Sequence, residues 1–171
     1  MIKTFEKFTP KIHETAFIAE NAIIIGDVEI GADASIWYGS ILRGDVNSIR
    51  VGARTNIQDM TMIHVSRGKD FPTIVEADVT VGHRVTLHGC YVEKGCLIGI
   101  GATLLDGVKI GANSLIAAGS LVTPNTQIPE RSFVLGAPAR IKRELTDEEI
   151  ENIQKNCRNY VNLSQIYRDL N

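Results

Sequence analysis

Aliphatic residues recur every six positions along most of the chain. They run Ile12, Ile18, Ile24, Ile30, Ile36 and Leu42, then Val51, Ile57 and Ile63, then Val75, Val81 and Leu87. After a slip of one residue at Val92 they continue through Ile98, Leu104, Ile110, Ile116, Val122, Ile128 and Val134. A period of six is neither the helical repeat nor the strict alternation of a half-buried strand. It fits a parallel β-helix, in which each hexad supplies one short strand and one corner. Three hexads close a coil of roughly 18 residues, and Ile98-Gly99-Ile100-Gly101 falls over Ile116-Ala117-Ala118-Gly119 at that spacing. The aliphatic residue of each hexad points inward, and small residues occupy the other tight position. The expected fold is an all-β parallel β-helix over residues 1–144.

The period breaks at Leu42–Arg50, which holds extra residues including Arg43-Gly44-Asp45, and at Val65–Thr73, a polar excursion with Gly and Pro. Excursions from a rigid scaffold are where function concentrates, and these two flank His64. Beyond Val134, Gly136 and Pro138 end the coil and the period turns helical. Thr146-Asp147-Glu148-Glu149 reads as a capping box. Ile150, Ile153, Cys157, Tyr160, Val161, Ser164 and Tyr167 then follow at helical spacing. Residues 145–171 are expected as a C-terminal α-helix, roughly 147–170, packed on the side of its own or a neighbouring prism.

Composition removes several functions. The formal net charge is −2 with no basic block, which argues against nucleic acid as a partner. No apolar run approaches the roughly 18 residues of a membrane span, and the N-terminal segment lacks a signal-peptide core. Three cysteines with no CxxC pair fit packed thiols in a reduced, cytoplasmic compartment.

The histidines carry the chemistry. In extended chain His83 and His88 lie roughly 16 Å apart, too far to share one ion, whose ring nitrogens must lie within about 2.1 Å. His64 and His88 occupy the same point of their hexads, 24 residues apart, which is one coil plus the excursion. With the excursion spliced out, they stack at about 4.8 Å, and Asp59 falls over His83. His64 and His88 then form two-thirds of a site, and His83 of another chain could complete it in a cyclic trimer. Three histidines and an open position are the catalytic zinc arrangement.

Arg43-Gly44-Asp45, Asn56-Ile57-Gln58-Asp59, His64, Gly82-His83 through His88-Gly89, and Gly136-Ala137-Pro138 together resemble the γ-class carbonic anhydrases, in particular their bacterial and archaeal hexapeptide-repeat branch. The resemblance covers essentially the whole chain. It implies a left-handed β-helix with a C-terminal helix, assembled as a homotrimer, binding zinc (or iron or cobalt) through His64 and His88 of one subunit and His83 of the next. It further implies CO2/bicarbonate as substrate, with CO2 hydrated by a zinc-bound hydroxide. Arg43 and Asp45 match an ion pair across the subunit interface, with Asn56 and Asp59 as supporting residues. Gln58 matches a residue that positions the bound water or bicarbonate, and Tyr160 a helix position that approaches the pocket.

The family's proton-shuttle glutamates are not matched. Val46 occupies one position, and the short excursion carries Asp70 as its only acid, leaving Glu76, Asp70 and Tyr160 as substitutes. Alternatives are a hexapeptide acyltransferase binding CoA between subunits, an acyl-CoA thioesterase using the same metal, and a catalytically silent metal-binding trimer.

Overall fold

The computed structural model describes residues 1–68 and 71–170. Its strands pair in parallel to build a three-sided prism. One column stacks Ile18, Ile36, Ile57, Val81, Ile98, Ile116 and Val134. A second stacks Ile24, Leu42, Ile63, Leu87, Leu104 and Val122. The third stacks Ile12, Ile30, Val51, Val75, Val92, Ile110 and Ile128. These are the residues of the six-residue period, and all but Ile12 and Ile18, which lie toward one end of the stack, are buried. Burying each such side chain contributes about 1.5–3 kcal/mol, so the columns are the main source of cohesion in a fold built of short strands.

The corners require left-handed backbone. Asp33, Arg54, Asp78, Asn113 and Arg131 all have positive φ, from 55 to 61°. A non-glycine residue there costs about 1–2 kcal/mol. Arg54 offsets that with two hydrogen bonds to Asp78 on the coil above, each 2.7 Å.

The two breaks in the period resolve differently. Leu42–Arg50 is not a loop but part of an 11-residue strand, Ile41–Val51, lying against the strand Ile23–Ile30. The extra residues are absorbed where the pairing shifts between Gly26 and Val28. The close approach needs glycine, since a Cβ on Gly26 (φ +78°) would lie 2.2 Å from the Gly44 carbonyl oxygen. The second break does leave the coil. Thr73 closes its base, donating from Oγ1 to the His64 carbonyl at 2.7 Å and accepting from the Gly89 N–H at 2.9 Å.

After the strand Ser132–Gly136 the chain turns back into an antiparallel strand, Ala139–Glu144. The helix Asp147–Asp169 follows, with both hydrogen bonds of the capping box present between Thr146 and Glu149. It lies on its own chain's prism, against the strands Phe17–Ile18, Ser35–Ile36, Asn56–Ile57 and Thr80–Val81. Ile150 and Ile153 pack beside Leu97, Leu115 and Phe133 toward the last coils. Tyr160 and Tyr167 stand edge-on to Trp37, with centroids 5.7 and 5.2 Å away. Arg168 donates to the Thr15 carbonyl at 2.7 Å, so the helix runs back from the last coils to the first. Among the described residues no helix is long and apolar enough to cross a membrane.

Candidate metal centre

His64 and His88 end the neighbouring strands Met62–His64 and Thr86–His88, paired in register. Their rings approach with His64 Nδ1 and His88 Nε2 at 3.1 Å. Each ring rests its other nitrogen on a carboxylate: His64 Nε2 on Asp45 Oδ1 at 3.1 Å, and His88 Nδ1 on Asp106 Oδ1 at 2.9 Å. Asp45 also pairs with Arg43. Burial pushes the Asp45 carboxyl up, but hydrogen bonds from His64 and Arg43 outweigh it and hold the group below the usual carboxylate range.

This donor set fits a zinc-type ion. A carboxylate only accepts, so each places the ring proton on the nitrogen facing it. Two lone pairs are then left facing each other across 3.1 Å. Neutral imidazoles so placed repel unless a cation or a proton lies between them. Two nitrogens on one tetrahedral zinc are roughly 3.3 Å apart, within a few tenths of the observed separation.

His83 lies in the turn after the strand Thr80–Val81 and repeats the arrangement, with Nδ1 on Asp59 Oδ2 at 2.8 Å. Beside it is Gln58, whose Nε2 donates to Asn56 Oδ1 at 3.1 Å. Asn56, fully buried, in turn donates to Thr80 Oγ1 at 2.9 Å. This chain fixes the Gln58 amide and leaves its Oε1 as the acceptor. Tyr160 comes from the helix. Burial, and secondarily Asp59, push its phenol up. Gln58, His83 and Tyr160 line one cavity of about 420 Å³ whose apolar wall includes Ile98, Ala117 and Ala118.

The residues singled out in the sequence therefore fall into two separate clusters. Arg43, Asp45, His64 and His88 form one; Asn56, Gln58, Asp59, His83 and Tyr160 form the other. Arg43 and Asp45 pair within the chain. Among the described residues, no three His, Cys, Asp or Glu side chains of one chain converge on a common metal position. Asp106 was not read from the sequence: it lies 18 residues from His88, whereas the local coil pairs Leu87 with Leu104.

Of the substitutes for a proton shuttle, Glu76 is committed elsewhere, one oxygen accepting from Tyr91 and the other from the Lys94 N–H. Val46 packs against the core. Asp70 lies outside the described residues. Of the two described substitutes, Tyr160 lines the cavity beside His83.

The family described as bacterial transferase hexapeptide (six repeats) matches residues 9–44 and 89–124. The carbonic anhydrase of Geobacillus kaustophilus is 44% identical over 170 residues, which cover 99% of this chain and 92% of that protein. Gamma carbonic anhydrase 2, mitochondrial, of Arabidopsis thaliana is 49% identical over 175 residues. The match takes in the whole of this chain but spans only 63% of the plant protein's length. Among solved structures, a hexapeptide transferase family protein from Anaplasma phagocytophilum superposes with a TM-score of 0.92 at 42% identity, covering 97% of each chain.

Proposed function

The chain belongs to the γ-class carbonic anhydrases of the hexapeptide-repeat proteins, and on that premise we propose that it catalyses the reversible hydration of CO2 at metal centres shared between subunits of a homotrimer. His64 and His88 of one subunit and His83 of the next would hold the ion, with zinc the first choice and iron or cobalt the alternatives. The observation that carries this reading is the pair of carboxylate-backed imidazoles with ring nitrogens 3.1 Å apart, matched by a third carboxylate-backed imidazole in a separate half-site. A bound zinc supplies Lewis acidity, bringing the pKa of water in its open position toward neutrality.

The chain's own groups then have defined tasks. Asp45 and Asp59 keep the ring protons off the liganding nitrogens of His64 and His83. Gln58 Oε1, fixed through Asn56, accepts a hydrogen bond from the water or from the hydroxyl of bicarbonate and orients it without titrating. The apolar wall of Ile98, Ala117 and Ala118 suits CO2, which has no charge to solvate. Tyr160 keeps its proton at neutral pH, since its pKa is raised, so its Oη can both accept and donate in a relay to solvent.

Metal analysis of protein isolated without chelator, followed by stopped-flow CO2 hydration, tests the reading. About one zinc-type ion per chain is expected, with hydration that disappears on chelation and returns with zinc. Wild-type protein that takes up no metal would sink it. The Anaplasma relative is named a transferase, so acetyl-CoA binding and acyl transfer form the control; turnover of acetyl-CoA without metal would favour the acyltransferase reading.

A further inference from the structure

We propose that Asp106 is a positioning residue for His88 and that Gly89 is the spacer that lets it reach; this rests on the metal-centre reading above. Asp106 belongs to the next coil, at a turn anchored on both sides. Its carbonyl accepts from the Asn125 N–H at 2.8 Å, and the N–H of Gly107 donates to the Gly89 carbonyl at 2.8 Å. From that turn Oδ1 comes within 2.9 Å of His88 Nδ1. The approach is possible only over a residue without a side chain. A Cβ on Gly89 (φ +55°) would lie 2.2 Å from Asp106 Oδ1 and 3.1 Å from Phe71 Cβ. Asp45, the corresponding carboxylate on His64, is shared with Arg43. Asp106 pairs with no lysine or arginine among the described residues, and its ion-pairing contact is His88.

The contact has one chemical consequence. An aspartate oxygen accepts and cannot donate, so it holds the His88 proton on Nδ1 and leaves the Nε2 lone pair aimed at His64. Without Asp106 the proton is free to move to Nε2 and occupy the liganding atom. The contact is also partly solvent-exposed, with 29% and 36% side-chain exposure for His88 and Asp106. Such pairs add little to stability, so removing the carboxylate should leave the melting temperature nearly unchanged while it alters the metal site.

The test uses the full chain as wild type, Asp106→Ala and Asp106→Asn. Zinc affinity is read by chelator competition. The His88 tautomer is read by ring ¹⁵N NMR on metal-free protein above the ordinary histidine pKa. Asp106→Ala should weaken zinc about 10- to 100-fold and shift the ring proton toward Nε2, with little change in melting temperature. Asp106→Asn, whose oxygen still accepts, should recover most of the affinity. An unchanged tautomer and unchanged zinc affinity in Asp106→Ala would overturn the proposal. A wild type that binds no zinc defeats the metal-centre reading instead, and the tautomer measurement still decides the role of Asp106.

Discussion

At the scale of single residues, the inward columns and the polar half-sites make separate predictions. Ile63, next to His64 in the strand Met62–His64, is fully buried in the inward column between Leu42 and Leu87. Ile63→Ala should cost about 2–5 kcal/mol in chemical denaturation. Gln58→Ala should lower kcat/KM for CO2 hydration by about 10- to 100-fold, the cost of losing a polar group that orients what the metal holds, while the metal content stays at the wild-type level. Loss of metal in that variant would assign Gln58 to structure instead. The stacking of His64 on His88 was legible in advance, because the six-residue period fixes which residues share a height once the excursion is removed. The Asp59–His83 contact was legible by the same arithmetic. Asp106 was not, because the coil from Leu87 to its partner Leu104 is one residue short and the side chain reaches back past Gly89. A contact of that kind depends on one missing Cβ, which no periodicity records.

At the scale of elements, the helix cap carries a pH dependence. Arg143, then the backbone N–H of Thr146, holds the Glu149 carboxyl down at about 2. A lowered folded-state pKa adds stability above the ordinary carboxylate value of 4.5, and that stability fades as pH falls toward about 2. The melting-temperature gap between wild type and Glu149→Gln should therefore be constant above about pH 4.5 and shrink as pH is lowered through this window. A gap independent of pH would remove Glu149's charge from the account. The cap was readable because its four residues are contiguous. The seat of the helix was not, since the sides of a prism built from one repeat resemble each other; Trp37, packed against Tyr160 and Tyr167, selects the side. At Leu42–Arg50 extra residues interrupt the period, which by itself suggests an excursion from the coil. The glycine pair Gly26 and Gly44 lets two strands absorb them as a shift in pairing.

At the scale of the molecule, the proposed shared centre makes function a property of neighbours. His64→Ala and His83→Ala proteins should each lack metal. Unfolded together and refolded as a mixture, every mixed trimer would recover about one centre in three, at the interface where intact His64 meets intact His83. Native mass and metal content of the mixture check this, and a mixture as empty as its parents would exclude the shared site. The seating of the helix has a different consequence. Repeat proteins commonly fray from their ends, because each unit holds only its neighbours. Here a helix that follows the coils in the chain covers the earlier ones, through Tyr167 on Phe17 and Trp37 and Arg168 on Thr15. During synthesis the early coils would wait with an aromatic face open to water until the helix leaves the ribosome. Once it docks, one helix ties the later coils to the earlier ones, and unwinding of either has to break its packing.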